Sequence, residues 1–203
     1  MKGSSRAHAA LIWAVVVTAI AVPIAAAAMS PLLQWRGAVY IAAGFAGIVA
    51  MALLLLQPLL VAGALPGLSG RSGRLVHRWA GGLLVVTVVV HVAALWVTSP
   101  PDVIDALLFA SPTPFSFWGV VAMWAVFASA LLAALRWRLP LRPQTWRLAH
   151  TGLAAVIVVG SVVHAMLIEG TMETISKFVL CALVTVATLK VIVGLNIRIR
   201  RSR

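Results

Sequence analysis

Acidic residues are almost missing from this chain: four in 203 residues, against sixteen lysines and arginines. Cysteine occurs once, as Cys181, inside an apolar stretch. A single thiol excludes a disulfide framework and a thiolate metal site, and leaves Cys181 the part of a small core residue. No G-x-G-x-x-G occurs. The segment with Gly63, Gly67, Gly70 and Gly73 superficially resembles a phosphate loop, but it follows no strand and lacks the Lys-Ser/Thr ending. It reads as a flexible cytoplasmic turn.

Charge of either sign is scarce at 10% of residues, whereas 63% are hydrophobic and the mean hydropathy is +1.08. A soluble domain of this size cannot hide so much apolar surface. The reading is an all-α integral membrane protein: a single six-transmembrane-helix bundle over 1–203, with no second folded domain. Hydropathy places its spans near 9–29, 37–62, 75–97, 118–136, 146–168 and 175–196. A formal charge of +12 would suit nucleic acid, yet the basic residues sit in short loops, where they set topology instead. No nucleic-acid partner is expected.

Lys2 and Arg6 precede the first span, and Arg71, Arg74 and Arg78 surround the start of the third. Arg136, Arg138, Arg142 and Arg147 join the fourth to the fifth, and Arg198, Arg200, Arg201 and Arg203 close the chain. Asp102, Asp105, Glu169 and Glu173 all fall in the opposite loops. With basic loops inside, both termini are cytoplasmic, in an inner (plasma) membrane. Arg36 and Lys177 are the exceptions on the outer side. The first span has the basic start and the Ala25–Ala28 run of a secretory signal. Its apolar stretch of about twenty residues exceeds the usual 7–15, so it reads as a retained helix.

Pro100, Pro101, Pro112 and Pro114 punctuate the 99–117 loop. Ser99 or Asp102 is placed to cap a short helix there, with Val103, Ile104, Leu107 and Leu108 on one apolar face. That helix reads equally as an interfacial cover or as a connector.

Against this bland background one pattern is written twice. His77 and His91 have thirteen residues between them, and so do His150 and His164. Fourteen residues of helix advance about 21 Å and return to within roughly 40° of the same face. Each pair therefore lines one side of its helix, near opposite edges of a hydrocarbon layer about 30 Å thick. The third and fifth spans run in the same direction, which pairs His77 with His150 inside and His91 with His164 outside. An imidazole in lipid is costly unless it has a partner, so such residues are functional by default. His8, in the polar N-terminus, is assigned no role.

Imidazole alone does not name a metal. Zinc sites commonly add cysteine or carboxylate ligands, and none lies at the right depth. Two facing imidazoles are what the axial positions of a porphyrin iron require, and with both filled the iron passes electrons and does little bond-making. Gly81, Gly82, Gly152 and Gly160, near the histidines, would let a flat macrocycle approach the backbone or would serve close helix packing. Arg74, Arg78 and Arg147 read as propionate or partner contacts, or as topological anchors. Arg36, beside Trp35, is the better propionate candidate because charge bias does not explain it. Trp13, Trp96, Trp118, Trp137 and Trp146, near span ends, read mostly as interface anchors.

Taken together, these residues resemble the ferric reductase-like transmembrane domain. That domain is shared by metalloreductases, NADPH oxidases and the bacterial haem-binding subunit of the periplasmic methionine sulfoxide reductase system. The resemblance covers roughly 10–196. It rests on six spans, His-x13-His on the third, and Trp146-x3-His150-x13-His164 on the fifth. Gln57-Pro58-Leu59 is similar to a Thr-Pro-Leu of the bacterial subunit, and Pro114-Phe115-x3-Gly119 to its Pro-Tyr-x3-Gly. That subunit can have arginine for the first histidine, twelve residues in the second gap, and a basic residue where Thr113 stands. All four histidines with two equal gaps look more like the metalloreductase branch.

The resemblance implies two haem b on the four histidines, with a place for flavin at the cytoplasmic face. Electrons would pass from a cytoplasmic flavin reductase or membrane quinol to ferric iron or a periplasmic oxidoreductase. The flavin and nicotinamide domain of the reductases has no counterpart in these 203 residues, so the donor is expected to be separate. Two alternatives stay open. A quinol-oxidising di-haem cytochrome b also has paired His-x13-His, although its Pro-Glu-Trp-Tyr loop is absent here. A non-redox transporter or scaffold would use the histidines for packing. Transporters usually show matching broken helices, and Pro23 has no counterpart.

Overall fold

Prolines and glycines set the helix boundaries. The computed structural model describes residues 2–170 and 172–201, with side chains for 6–170 and 172–195. Its α-helices are α1 (Lys2–Ala28), α2 (Ala38–Ala62), α3 (Gly70–Thr98), α4 (Pro100–Leu107), α5 (Pro114–Ala134), α6 (Pro143–Leu167) and α7 (Thr174–Arg201). A 3₁₀ turn, Pro31–Leu33, joins α1 to α2. Pro100, Pro114 and Pro143 open α4, α5 and α6, where a missing N–H costs nothing. Gly63 stops α2 in the left-handed conformation (φ 64°), and its N–H caps the Leu59 and Leu60 carbonyls.

Six of these helices are long and apolar enough to cross a bilayer: Arg6–Ala28, Ala38–Ala62, Gly70–Thr98, Pro114–Ala134, Pro143–Leu167 and Thr174–Leu195. The protein is an all-α, multi-pass membrane bundle. The third and fifth spans begin at Gly70 and Pro143, earlier than the hydropathic starts at 75 and 146. Hydropathy marks the lipid-facing stretch, whereas the first helical turns here carry arginines. Lys2, Arg198, Arg200, Arg201 and Arg203, which the charge bias also invoked, lie outside the described side chains.

The segment from Gly63 is the turn expected, with Gly63, Gly67 and Gly70 at positive φ, and its middle is packed against the bundle. Leu65 is 2% exposed, and Trp13 Nε1 donates to the Pro66 carbonyl at 3.3 Å, tying α1 to it. Gly73 already belongs to α3, where a Cβ would stand 2.8 Å from the Leu68 carbonyl oxygen. Close approach is what this glycine permits.

Two antiparallel hairpins organise the bundle, α2 with α3 and α5 with α6. Helix α7 packs on both α2 and α6, and α1 lies outside against α7. Met51, Leu53, Leu54 and Leu55 of α2, Leu84 of α3, Val126 of α5, Ile157 of α6 and Leu180 and Val184 of α7 share the core. Lipid tails are as apolar as leucine, so the hairpins are held by close packing more than by burial itself. Gly160 shows this: a Cβ there would lie 3.0 Å from both Ala122 Cβ and the Trp118 carbonyl oxygen. Apolar side chains such as Val86, Val90 and Val159 remain exposed, as a lipid-facing surface requires.

The short helix expected in 99–117 is α4. Ser99 is its N-cap residue, and the Ser99 hydroxyl donates to Asp102 Oδ2 at 2.6 Å. Val103 is buried, but Ile104 and Leu108 are exposed. Only part of the apolar face turns inward.

Candidate functional site

Helices α3 and α6 bring their histidines together pairwise. The His77 and His150 ring centres are 6.3 Å apart at an interplanar angle of 79°. His91 and His164 stand 6.4 Å apart at 87°. The two levels repeat each other, as fourteen residues along two helices of like direction require. A first-row metal between two imidazoles has metal–nitrogen bonds of about 2.0–2.1 Å, which with about 1.1 Å from nitrogen to ring centre separates the centres by about 6.3 Å. Both spacings fit. Among the described residues no cluster of three or more His, Cys, Asp or Glu forms. Two nitrogens per level are the protein share of a bis-imidazole porphyrin site.

At the His91 level the tautomers follow from the hydrogen bonds. His91 Nδ1 lies 2.7 Å from the Ala43 carbonyl oxygen, and His164 Nδ1 lies 2.7 Å from that of Phe115. A carbonyl only accepts, so each Nδ1 carries the proton and Nε2 keeps its lone pair for a metal. Space for the rings comes from glycines one turn along the neighbouring helices. A Cβ on Gly47 would lie 3.3 Å from His91 Nδ1, and one on Gly119 only 2.6 Å from His164 Nδ1. Of the glycines singled out from sequence, Gly160 is used in helix packing. Gly82 and Gly152 border open space, and a Cβ on Gly81 would lie 3.8 Å from Gln57 Nε2.

The His77 level is built differently. His150 Nδ1 is 3.1 Å from the Ser129 hydroxyl oxygen. His77 Nδ1 and Gln57 Nε2 are both buried without a hydrogen-bond partner. Trp146, one turn before His150, stacks on its ring at 5.0 Å and 11°. The indole N–H donates to the Leu132 carbonyl at 3.3 Å, and the Arg136 guanidinium lies 4.6 Å from the indole ring centre. Trp146 thus braces a histidine, a task beyond the interface anchoring read from sequence.

A cavity of about 750 Å³ occupies the His91 end. It is lined by His91, His164, Arg36, Tyr40, Asp102 and Lys177, among others. Arg36 lies over the Tyr40 ring at 4.7 Å, so the structure does bring this predicted residue to the site. Arg74 and Arg78 instead border a shallow depression on α3 with Arg71. Arg147 Nε donates to the Pro143 carbonyl of its own helix at 3.3 Å. No hydrogen bond or stacking contact among the described residues brings these three to a histidine ring. Sequence reasoning noted Lys177 only as an exception to the charge bias; it is 8% exposed and donates to the Ile168 carbonyl at 2.8 Å. That reasoning used Gln57 only as part of a motif and passed over Ser129, although a polar residue within a span is the signal that marks functional positions in lipid.

Residues 43–161 match the family described as ferric reductase like transmembrane component. The chain belongs to this family. The matched segment covers more than half of the chain and holds His77, His91 and His150, with His164 just beyond it. No curated protein and no solved structure matches the chain. Ferric reductase-like domains generally bind haem. The donor set of this ferric reductase-like domain, two nitrogens at each of two levels, fits that group.

Proposed function

We propose that this ferric reductase-like domain conducts electrons across a membrane through two b-type haems. His77 and His150 hold one, and His91 and His164 the other. The observation that supports this best is the pair of equal ring spacings, 6.3 and 6.4 Å, fourteen residues apart on the same two helices. Haem, when bound, supplies reversible one-electron chemistry. The chain supplies the rest. Carbonyls of α2 and α5 orient the outer imidazoles, Trp146 braces His150, and the bundle keeps water from the middle of the path. Both imidazoles at each level would be used in holding the group, which suits electron transfer more than bond-making. Two levels about 21 Å apart along the helices divide a hydrocarbon layer of about 30 Å into short steps.

Arg71, Arg74, Arg78, Arg138 and Arg142 gather at the His77 end, and the positive-inside tendency supports a cytoplasmic position for it. The donor is a cytoplasmic flavoprotein, with its flavin at this face, or a membrane quinol. The acceptor outside is ferric iron or a periplasmic reductase, approaching through the cavity beside His91 and His164. The test is an optical spectrum and haem count of the purified full chain. Two b-type haems per chain are expected, and a colourless preparation without iron overturns the reading. Dependence of haem reduction on added quinone, or on a flavin reductase, then separates the donors.

A further inference from the structure

The residues opposite the histidines follow a repeat of their own. Along α2, Ala43 and Gln57 are fourteen positions apart, and along α5, so are Phe115 and Ser129. In the antiparallel α2–α3 hairpin, the register that sets Ala43 against His91 sets Gln57 against His77. In the α5–α6 hairpin, the register of Phe115 with His164 is also that of Ser129 with His150. The two hairpins are thus equivalent, level by level. At the outer level both acceptors are main-chain carbonyls, which no substitution removes. At the inner level the place on α5 is taken by a side chain, the Ser129 hydroxyl, whereas on α2 it is again the main chain, of Gln57, that faces His77.

Resting on the haem reading above, we propose that Ser129 is a positioning residue that holds Nδ1–H of His150. A histidine that ligates through Nε2 must carry its second proton on Nδ1 and needs an acceptor for it. The hydroxyl oxygen of Ser129, itself buried, stands at hydrogen-bond distance to do this for His150. A buried Nδ1–H is costly unpaired, so this contact satisfies His150. A stronger acceptor makes the imidazole a more basic ligand and favours the oxidised metal. The inner site is therefore the one whose redox level a side chain sets.

The experiment isolates the inner haem in a His91→Ala background of the full chain. Its midpoint potential and low-spin resonance spectrum are compared in Ser129→Thr and Ser129→Val. Threonine and valine have the same shape and differ only in the acceptor. The expected result is a Ser129→Thr chain that behaves like the parent, with the potential shifted upward in Ser129→Val. Selective loss of haem from Ser129→Val but not Ser129→Thr supports the same role. Full haem content with unchanged potentials and spectra overturns the proposal, and so does haem loss from both Ser129 variants. A parent chain without haem defeats the underlying reading and is recognised before any variant is made.

Discussion

Gly119 lies directly against the His164 ring: a methyl group in place of its hydrogen would stand 2.6 Å from Nδ1. The contact belongs with the 2.7 Å hydrogen bond from that nitrogen to the Phe115 carbonyl, one turn back on the same helix. Gly47 and Ala43 repeat the arrangement for His91, with more room at 3.3 Å. Such glycines let an imidazole dock on a helix backbone.

The first prediction follows from that difference in clearance. Gly119→Ala should push His164 off its carbonyl and cost about 1–3 kcal/mol, the usual range for overpacking. Gly47→Ala should cost less, because a few tenths of an ångström of movement relieve it. Thermal melting together with the spectrum of the outer haem ranks the two. Equal behaviour would contradict the geometry.

Site selectivity gives the second. His91→Ala or His164→Ala should remove the outer haem alone, and His77→Ala or His150→Ala the inner one alone, because each level has its own two rings. Haem per chain should fall by about half in every case. Pyridine haemochrome counts check this, and unchanged haem in all four variants would end the assignment.

Trp146 provides the third. Trp146→Phe should keep the stack on His150, whereas Trp146→Ala loses it together with the bond to the Leu132 carbonyl. The alanine variant should be less stable by roughly 1–3 kcal/mol, from a stacking pair of about 0.5–1.5 and a hydrogen bond of similar size. Its inner haem spectrum should broaden while the outer stays as it was.

A fourth concerns acid. The Glu173 carboxylate accepts from the main-chain N–H groups of Ile175 and Ser176, at 2.7 Å each, and caps α7. Those N–H groups hold its pKa below the ordinary glutamate value of 4.5. A depressed folded pKa stabilises above the unfolded value and is lost as pH falls through the folded one. Melting temperature should therefore drop below about pH 4.5, and Glu173→Gln should flatten that drop. A quantitatively identical acid limb in the variant would remove Glu173 from the account.

Several of these relationships were legible in the sequence. Equal His-x13-His gaps in apolar runs require rings on one face at two depths, and the pairing of His77 with His150 and His91 with His164 follows from helix direction. The packing of the turn from Gly63 was not legible, because glycines signal conformational freedom and say nothing of what presses on them. Leu65 and the Trp13 bond to Pro66 decide that point. Nor was the service of Gly47, Gly119 and Ser129. Each acts on a residue of the neighbouring helix, at a register set by where the connecting turn ends.

The amino-acid order alone determined that this chain spans a membrane with helices and carries four imidazoles at two depths, since hydropathy and the helical period are local properties. Which carbonyl, hydroxyl or glycine meets each imidazole was decided only by tertiary structure. The antiparallel register of α2 on α3 and of α5 on α6 depends on turn length and close packing, and neither can be read from one helix at a time.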